Sequence, residues 1–153
     1  HTAAWEKNWG QVPYTDAEIA HLASELKMIV DPEMALFLEY QGEPVAVCIA
    51  IPDLNQVLAR FDGRLLPTGI FHLLNMKRTI DRARLVMLGV LPEHRNRGFD
   101  LVLIDEVMRR GYARGIKEGE LGWTLEDNHA INRAIEATGG VRYKTLRMVQ
   151  KEL

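Results

Sequence analysis

The apolar positions of the first third of the chain predict one helix followed by a β-hairpin. Thr15 and Glu18 have the spacing of a capping box, and apolar residues recur behind them at helical spacing as far as Pro32. The residue before a proline disfavours helical backbone, so the helix must end there. Strand-like runs then occupy residues 35–40 and 44–51, on either side of a short turn.

Strands and helices alternate in the rest of the chain. Glycine and proline interrupt residues 53–82, which predicts a helical insert of two short helices joined by turns. The later apolar runs predict helices at residues 101–112 and 128–138 and strands at residues 84–90, 120–125 and 143–150. This order predicts an α/β (α+β) protein, with a mixed sheet flanked by helices in one domain over residues 1–153.

Composition and charge narrow the class of protein. The 153 residues are 47% hydrophobic and 26% charged, as in an ordinary globular domain. The net charge of −2 argues against general nucleic-acid binding, which needs a basic surface. No apolar run approaches the roughly 20 residues of a membrane helix, and no secretory signal is present. We therefore expect neither nucleic acid nor a membrane as a partner.

The chain has one cysteine, Cys48, which excludes an intrachain disulfide. It lies in an apolar run, so we interpret it as a buried core residue rather than a nucleophile. A single thiol favours a reducing compartment, the cytoplasm. The chain begins with His1 rather than Met, which indicates either the remnant of a tag or a piece of a longer protein with an N-terminal partner domain.

Residues 90–100 form a basic, glycine-containing loop between a predicted strand and a predicted helix. A helix start offers unpaired N–H groups and a partial positive charge. Gly98 lets the backbone approach a ligand closely, and Arg95 and Arg97 add positive charge. The loop therefore predicts a binding site for a phosphate group.

The same loop resembles the signature Val-x-Pro-x-x-Arg-x-x-Gly-x-Gly/Ala of the GNAT superfamily of N-acetyltransferases. The chain matches it at Val90, Pro92, Arg95 and Gly98, and departs from it at Asp100, where the family has a small residue. The resemblance covers nearly the whole chain and implies the GNAT acyl-CoA N-acyltransferase fold, with a mixed, mostly antiparallel sheet flanked by helices.

A narrower resemblance exists over residues 120–128 and 143–147. These stretches are similar to a group of uncharacterised bacterial GNAT-like proteins, in which such a domain forms the C-terminal part of a longer chain.

The resemblance implies acetyl-CoA, or another acyl-CoA, as the cofactor. In that family the strand ending at Val90 separates from its neighbour, and main-chain groups, here those of Leu88 and Val90, bind the pantetheine arm. The pyrophosphate would lie on the N–H groups of residues 96–101. The loop residues that would contact it are Arg95, Asn96, Arg97, Gly98, Phe99 and Asp100.

Asp100 can be interpreted in two ways. A carboxylate at a helix start is a good cap and suits the helix dipole. Its negative charge would oppose a pyrophosphate, unless Arg95 and Arg97 offset it or the side chain points away.

Glu126 is the first candidate for the base that acetyl transfer to an amine requires. It lies at the C-terminal end of a predicted strand, where open α/β sheets place their ligands. Glu126 and Asp127 would equally serve as caps for the helix that opens at Asn128. Asn128 is itself either a cap or a contact to the cofactor.

The resemblance also indicates where a catalytic acid would lie. Family members often carry a tyrosine seven residues after the asparagine and a glycine eleven residues after it. Gly139 matches, but Ile135 occupies the tyrosine position. That tyrosine often protonates the departing thiolate, and Tyr143 is the candidate to replace it here.

No metal site and no serine nucleophile are expected. His21, His72 and His94 have no metal-ligand spacing with one another or with Cys48. Ser24 lies inside a predicted helix with no nucleophile elbow.

The leading hypothesis is a bacterial, cytoplasmic N-acetyltransferase that moves an acetyl group from acetyl-CoA to a small-molecule amine by direct attack. The alternative, motivated by Asp100 and Ile135, is a catalytically degenerate GNAT-like module that binds CoA or a protein partner. Another phosphate ligand such as a nucleotide is disfavoured, because the Gly-x-Gly-x-x-Gly and Walker patterns are absent.

An edge strand at residues 143–150 would allow a homodimer.

Overall fold

A computed structural model describes residues 14–27, 29–60, 79–147 and 149 of the chain. The chain divides into two compact units, His1–Trp123 and Thr124–Leu153. The first unit contains, in order, α1 (Asp16–Leu26), β1 (Ala35–Tyr40), β2 (Glu43–Pro52), α2 (Asn55–Leu58), β3 (Arg82–Val90), α3 (Phe99–Ala113) and β4 (Glu118–Leu121). The described part of the second unit contains one helix, α4 (His129–Ala137).

The start of α1 confirms the predicted capping box. The Thr15 hydroxyl accepts a hydrogen bond from the Glu18 N–H at 3.3 Å, and the Glu18 carboxylate accepts one from the Thr15 N–H at 2.8 Å. The helix ends at Leu26, earlier than its apolar spacing predicts. The N–H groups of Ile29 and Val30 both donate to the Leu26 carbonyl, and this turn closes the helix before Pro32.

The four strands form one mixed sheet in the order β1-β2-β3-β4. The β1–β2 and β2–β3 pairs are antiparallel, and β3 pairs with β4 in parallel. The predicted sheet, mixed and mostly antiparallel, is therefore confirmed. Irregularities in register fall between Leu38 and Glu39 of β1 and between Ile49 and Ala50 of β2.

One face of this sheet packs against α3 and forms the core. Leu103 and Val107 of α3 are buried together with Leu36 and Cys48 of the sheet. Burial raises the pKa of the Cys48 thiol to about 12, so the thiolate nucleophile is not available near neutral pH. The prediction of a core cysteine is confirmed.

Ion pairs join the two parallel strands. Nε of Arg82 lies 2.8 Å from the Glu118 carboxylate, and Nε of Arg84 lies 2.7 Å from the Glu120 carboxylate. Arg82 also approaches the buried Asp53 carboxylate at 3.8 Å. Arg82 and Arg84, two of the arginines that follow the hairpin, thus stabilise the sheet by pairing with carboxylates of the neighbouring strand.

Three sequence predictions differ from the structure or lie outside it. The strand predicted at residues 120–125 is β4, which ends at Leu121, where its pairing with β3 ends and Gly122 follows with a left-handed φ of 70°. The final strand predicted at residues 143–150 is wrong for residues 143–147 and 149, which are exposed and contain no strand. The apolar residues of this segment predict a strand, but the sheet of the described residues ends at β4 and does not include them. In the predicted helical insert α2 is present, and residues 61–78 lie outside the described part of the chain.

Candidate functional site

The loop between β3 and α3 has an unusual backbone. After a short 3-10 turn at Pro92–His94, both Asn96 and Gly98 adopt left-handed φ angles, 60° and 75°. The first bond of the helix joins the Val102 N–H to the Gly98 carbonyl at 3.1 Å. Two left-handed residues so close together turn the chain sharply into the start of α3.

This turn leaves a run of main-chain N–H groups without partners. Within the described part of the chain, no acceptor receives a hydrogen bond from the N–H groups of residues 96–101. A Cβ placed on Gly98 would have no atom within 4 Å, so the space before the loop is open. Six unpaired donors at the positive end of a helix dipole suit an anion such as a pyrophosphate. The main chain of the loop therefore fits the predicted group.

The charged side chains of the loop differ in what they contact. Nε of Arg95 lies 3.4 Å from the Val90 carbonyl oxygen, so Arg95 is directed toward the end of β3. Cζ of Arg97 lies 5.4 Å from the centre of the Tyr40 ring. The Asp100 carboxylate stands in the first turn of α3 and forms no ion pair with any described residue. A bound pyrophosphate would meet this negative charge together with the positive end of the helix.

The main-chain groups of Leu88 and Val90 point away from β2. The Leu91 N–H donates to the Val45 carbonyl at 2.9 Å, which makes these two residues a hydrogen-bonded pair. Bonded and non-bonded pairs alternate along an antiparallel ladder. Val90, opposite Ala46, is therefore a non-bonded position, and so is Leu88, opposite Cys48 two residues earlier.

The other edge of β3 is open at these two positions. The parallel pairing of β3 with β4 ends at Leu85 and Leu121, and the Gly122 N–H makes the last contact, to the Leu85 carbonyl at 3.2 Å. Among the described residues no strand follows along this edge toward Val90. The main-chain groups of Leu88 and Val90 are thus directed toward this open edge, where Nε of Arg95 already donates to the Val90 carbonyl at 3.4 Å. The Leu88 groups and the Val90 N–H have the direction that an extended pantetheine arm would need.

Tyr40 of the edge strand β1 contacts the loop through its ring. The ring centre lies 5.7 Å from the His94 ring and 5.7 Å from the Phe99 ring. With the Arg97 guanidinium, these residues form a group that we name the loop cluster: Tyr40, His94, Arg97 and Phe99. Nδ1 of His94 is buried in it without a hydrogen-bond partner among the described residues.

In the second unit, the side chain of Asn128 caps α4. Its Oδ1 accepts a hydrogen bond from the Ile131 N–H at 3.4 Å. The side-chain cap is therefore Asn128 rather than Glu126 or Asp127. Glu126 is exposed in the turn before the helix.

Asn132, one helical turn after the cap, holds the segment that carries Glu126. Its Nδ2 donates to the carbonyls of Leu125 and Glu126 at 3.1 and 3.4 Å, and its Oδ1 accepts from the Thr124 hydroxyl at 2.6 Å. Three consecutive residues are thus tied to one side chain of α4.

The candidate acid Tyr143 and Ile135, which replaces the family tyrosine, also lie in the second unit. Tyr143 is 74% exposed in the segment without a strand. Ile135, at the position of the family tyrosine, is half-buried near the end of α4, where its carbonyl accepts from the Gly140 N–H at 3.0 Å. The first unit thus brings together the eight candidate cofactor contacts from Leu88 to Asp100, and the second unit holds Glu126, Asn128 and Tyr143.

Sequence reasoning missed Tyr40 and Asn132. Tyr40 could not be found from the loop motif, because it is distant in sequence. Only the register of the hairpin brings it into contact with the loop. Asn132 had a usable signal, since it stands four residues after Asn128 on the same face of a predicted helix.

The described residues contain no group of three or more His, Cys, Asp or Glu side chains placed to hold a metal ion. Their helices are all too short or too polar to cross a membrane.

The architecture agrees with solved structures of acetyltransferases. The aminoglycoside N-acetyltransferase AAC(6')-Iy, solved with the bisubstrate analogue CoA-S-monomethyl-acetylneamine, superposes with a TM-score of 0.59 at 20% sequence identity. The alignment covers 97% of this chain and 86% of that one. The chain has the GNAT acyltransferase fold. The fold implied by the loop signature is therefore confirmed. Residues 90–100, which carry that signature, are called the GNAT loop below.

Two curated proteins align with nearly the whole of this chain. The bacterial ceramide synthase of Caulobacter vibrioides (strain NA1000 / CB15N) is 33% identical over 156 residues, which are 98% of this chain. Protein YghO of Escherichia coli (strain K12) is 31% identical over 157 residues, 99% of this chain. The chain spans 41% and 40% of the lengths of these two relatives. No protein-family model matches it.

Proposed function

We propose that this chain is the catalytic domain of an acyl-CoA-dependent N-acyltransferase. The observation that carries the proposal is the continuity of two binding surfaces on one stretch of chain. The main-chain groups of Leu88 and Val90 point to the open edge of β3, and the unpaired N–H groups of residues 96–101 follow directly. A long ligand with an amide-containing arm and a pyrophosphate needs such a sequence of contacts.

In this proposal the GNAT loop binds acyl-CoA and the strand edge orients it. The N–H groups of residues 96–101 hold the pyrophosphate, and Arg95 and Arg97 provide positive charge. Leu88 and Val90 hydrogen-bond the pantetheine arm. The bound cofactor supplies an activated thioester carbonyl. The AAC(6')-Iy structure with a CoA-containing analogue supports acetyl-CoA as the simplest donor.

Glu126 serves as the base in our proposal, and Tyr143 as the acid. The Glu126 carboxylate takes a proton from the acceptor ammonium, which frees the nitrogen lone pair for attack. The Tyr143 hydroxyl holds the proton that the departing thiolate requires. Asn128 contributes a contact to the cofactor at the start of α4, the helix that its side chain also caps. Because Asn128 and not Glu126 is the cap, the Glu126 carboxylate is left for another role.

The acceptor is an amine, and the relatives indicate two classes. AAC(6')-Iy is named for aminoglycosides, whereas the Caulobacter relative is named a ceramide synthase. A ceramide is the amide of a long-chain amino alcohol, so that name describes N-acylation as well. The ceramide synthase is more similar to this chain in sequence, at 33% against 20% identity. We therefore favour a small lipid-like amino alcohol over an aminoglycoside as the acceptor.

We further propose that residues 1–153 act as one domain of a bacterial, cytoplasmic protein. The buried, unpaired thiol of Cys48 supports a reducing compartment. An N-terminal partner domain or a second copy of the chain would complete the acceptor pocket. The lengths of the two curated relatives support the first of these.

The test is release of free CoA thiol from acetyl-CoA and longer acyl-CoA donors, with aminoglycosides and long-chain amino alcohols as acceptors. Amine-dependent release that Glu126→Gln reduces at least about 100-fold, the size typical of a lost general base, would support the proposal. Asp127→Asn is the matched control, since it removes the neighbouring exposed carboxylate. Binding of CoA without turnover by any amine would favour the degenerate module.

A further inference from the structure

Tyr40 is placed to act on the GNAT loop from a different part of the sheet. It is the last residue of β1, an edge strand, where it pairs with Glu43 across the hairpin. Its ring lies between 5.4 and 5.7 Å from three loop residues, measured to the rings of His94 and Phe99 and to Cζ of Arg97. A single side chain of the hairpin thus contacts the beginning, the middle and the end of the loop.

The Arg97 guanidinium lies beside an aromatic ring, whereas several other arginines lie beside carboxylates. Among the described residues, the guanidinium groups of Arg82, Arg84, Arg109, Arg110 and Arg114 each lie beside a carboxylate. Arg97 instead lies over the face of the Tyr40 ring and forms no ion pair in the described part of the chain. An aromatic face orients a guanidinium without neutralising its charge. The Tyr40 ring therefore orients the exposed Arg97 side chain and leaves its charge able to attract an anion.

The loop cluster is supported from behind. Phe99 packs against the core formed by the sheet and α3. His94 is half-buried beside the Tyr40 and Phe99 rings, and its Nδ1 is shielded from solvent. The Tyr40 ring is thus held against a packed surface, and it remains 37% exposed on its outer side. A ring held in this way is a rigid support for Arg97.

We propose that Tyr40 is a positioning residue that orients the Arg97 guanidinium toward the pyrophosphate of acyl-CoA. A long arginine side chain loses rotamer freedom when it binds a phosphate, and stacking on a fixed ring removes part of that loss in advance. Tyr40 itself does not contact the cofactor in this account. The inference rests on the proposed function, because it assigns a role in the same cofactor site.

Calorimetric titration of CoA into the unaltered chain and into Tyr40→Leu and Tyr40→Phe tests the inference. Tyr40→Leu removes the aromatic face and is expected to raise the Kd about two- to fivefold, the range for an exposed cation–π contact. Tyr40→Phe keeps the face and is expected to bind within about twofold of the unaltered chain. Phe37→Leu is the matched control, since Phe37 is a 68% exposed aromatic residue of the same strand. It should not change the Kd.

The same titrations in an Arg97→Gln background separate positioning from a general effect on the loop. If Tyr40 acts through Arg97, Tyr40→Leu has no further effect once the guanidinium is gone. An equal loss in both backgrounds, or no loss in either, would overturn the inference while leaving the proposed function intact. If the unaltered chain binds no CoA, the proposed function fails and the inference fails with it. Thermal unfolding of each variant verifies that it is folded.

Discussion

The Thr124 hydroxyl donates a 2.6 Å hydrogen bond to Oδ1 of Asn132, eight residues further along the chain. The amide nitrogen of the same side chain donates to the Leu125 and Glu126 carbonyls. The main chain that carries the proposed base is therefore tied to α4 rather than left as a free turn. This relationship makes Asn132 a support for Glu126 in our account.

Asn132→Asp should loosen this segment, although the two side chains have nearly the same shape. The change removes both amide donors and places a carboxylate against two carbonyl oxygens. Each lost hydrogen bond is worth about 1 kcal/mol, and the repulsion adds to it. Hydrogen exchange of the amides at residues 125–128 should be faster in Asn132→Asp than in Asn132→Ala. Asn128→Asp is the control, because aspartate is as good a cap as asparagine. Equal exchange in all three variants would contradict the account.

Gly98→Ala should destabilise the chain through backbone conformation alone. Gly98 has a φ of 75°, and a Cβ there would meet no atom within 4 Å. The left-handed conformation costs a residue with a side chain about 1–2 kcal/mol, so urea unfolding should show a loss of that size. Gly98→Asn tolerates this conformation better and should recover part of the loss. A stability of Gly98→Ala equal to that of the unaltered chain would show that the loop relaxes.

Asp100→Asn should change cofactor affinity and stability in opposite directions. The carboxylate in the first turn of α3 interacts favourably with the helix dipole and stabilises the fold by about 0.3–1 kcal/mol, which the variant loses. The same charge opposes the pyrophosphate, so the Kd for acetyl-CoA should fall. Titration and urea unfolding measure the two effects separately. Asp105→Asn, further along the same helix, should leave the Kd unchanged. An unaltered Kd in Asp100→Asn would mean that the carboxylate points away from the bound cofactor.

The Glu106 side chain should make stability depend on pH in the acidic range. Hydrogen bonds from Arg109 and Arg110, 2.8 and 2.7 Å long, lower the pKa of this carboxyl from 4.5 to about 2. Because the folded pKa is below the unfolded one, the stabilisation is present above pH 4.5 and is lost as the pH falls toward 2. Thermal midpoints of the unaltered chain and Glu106→Gln should therefore converge between pH 6 and pH 3. Curves that stay parallel over this range would contradict the prediction.

Local signals in the sequence were enough for much of the fold. The capping box at Thr15 and the strand ending at Tyr40 depend on neighbouring residues, and the structure has both as predicted. The loop signature located six neighbouring candidate residues from Arg95 to Asp100, because a motif fixes its own spacing. Their binding role stays a prediction.

Features that depend on distant parts of the chain could not be predicted. β4 ends where its parallel pairing with β3 ends, at Leu85 and Leu121, and the apolar pattern beyond continues without a partner. The contact of Tyr40 with Arg97 depends on the hairpin register, which shifts between Leu38 and Glu39. No pattern in the sequence encodes that shift.

The most direct test of the account is calorimetric titration of acetyl-CoA into this chain and into Gly98→Glu, with Gly98→Gln as the control of similar size without charge. The account predicts saturable binding by the unaltered chain, weaker binding by Gly98→Gln and none by Gly98→Glu, since a carboxylate would face the pyrophosphate at the helix start. Absence of binding by the unaltered chain, or equal binding by all three, would contradict it.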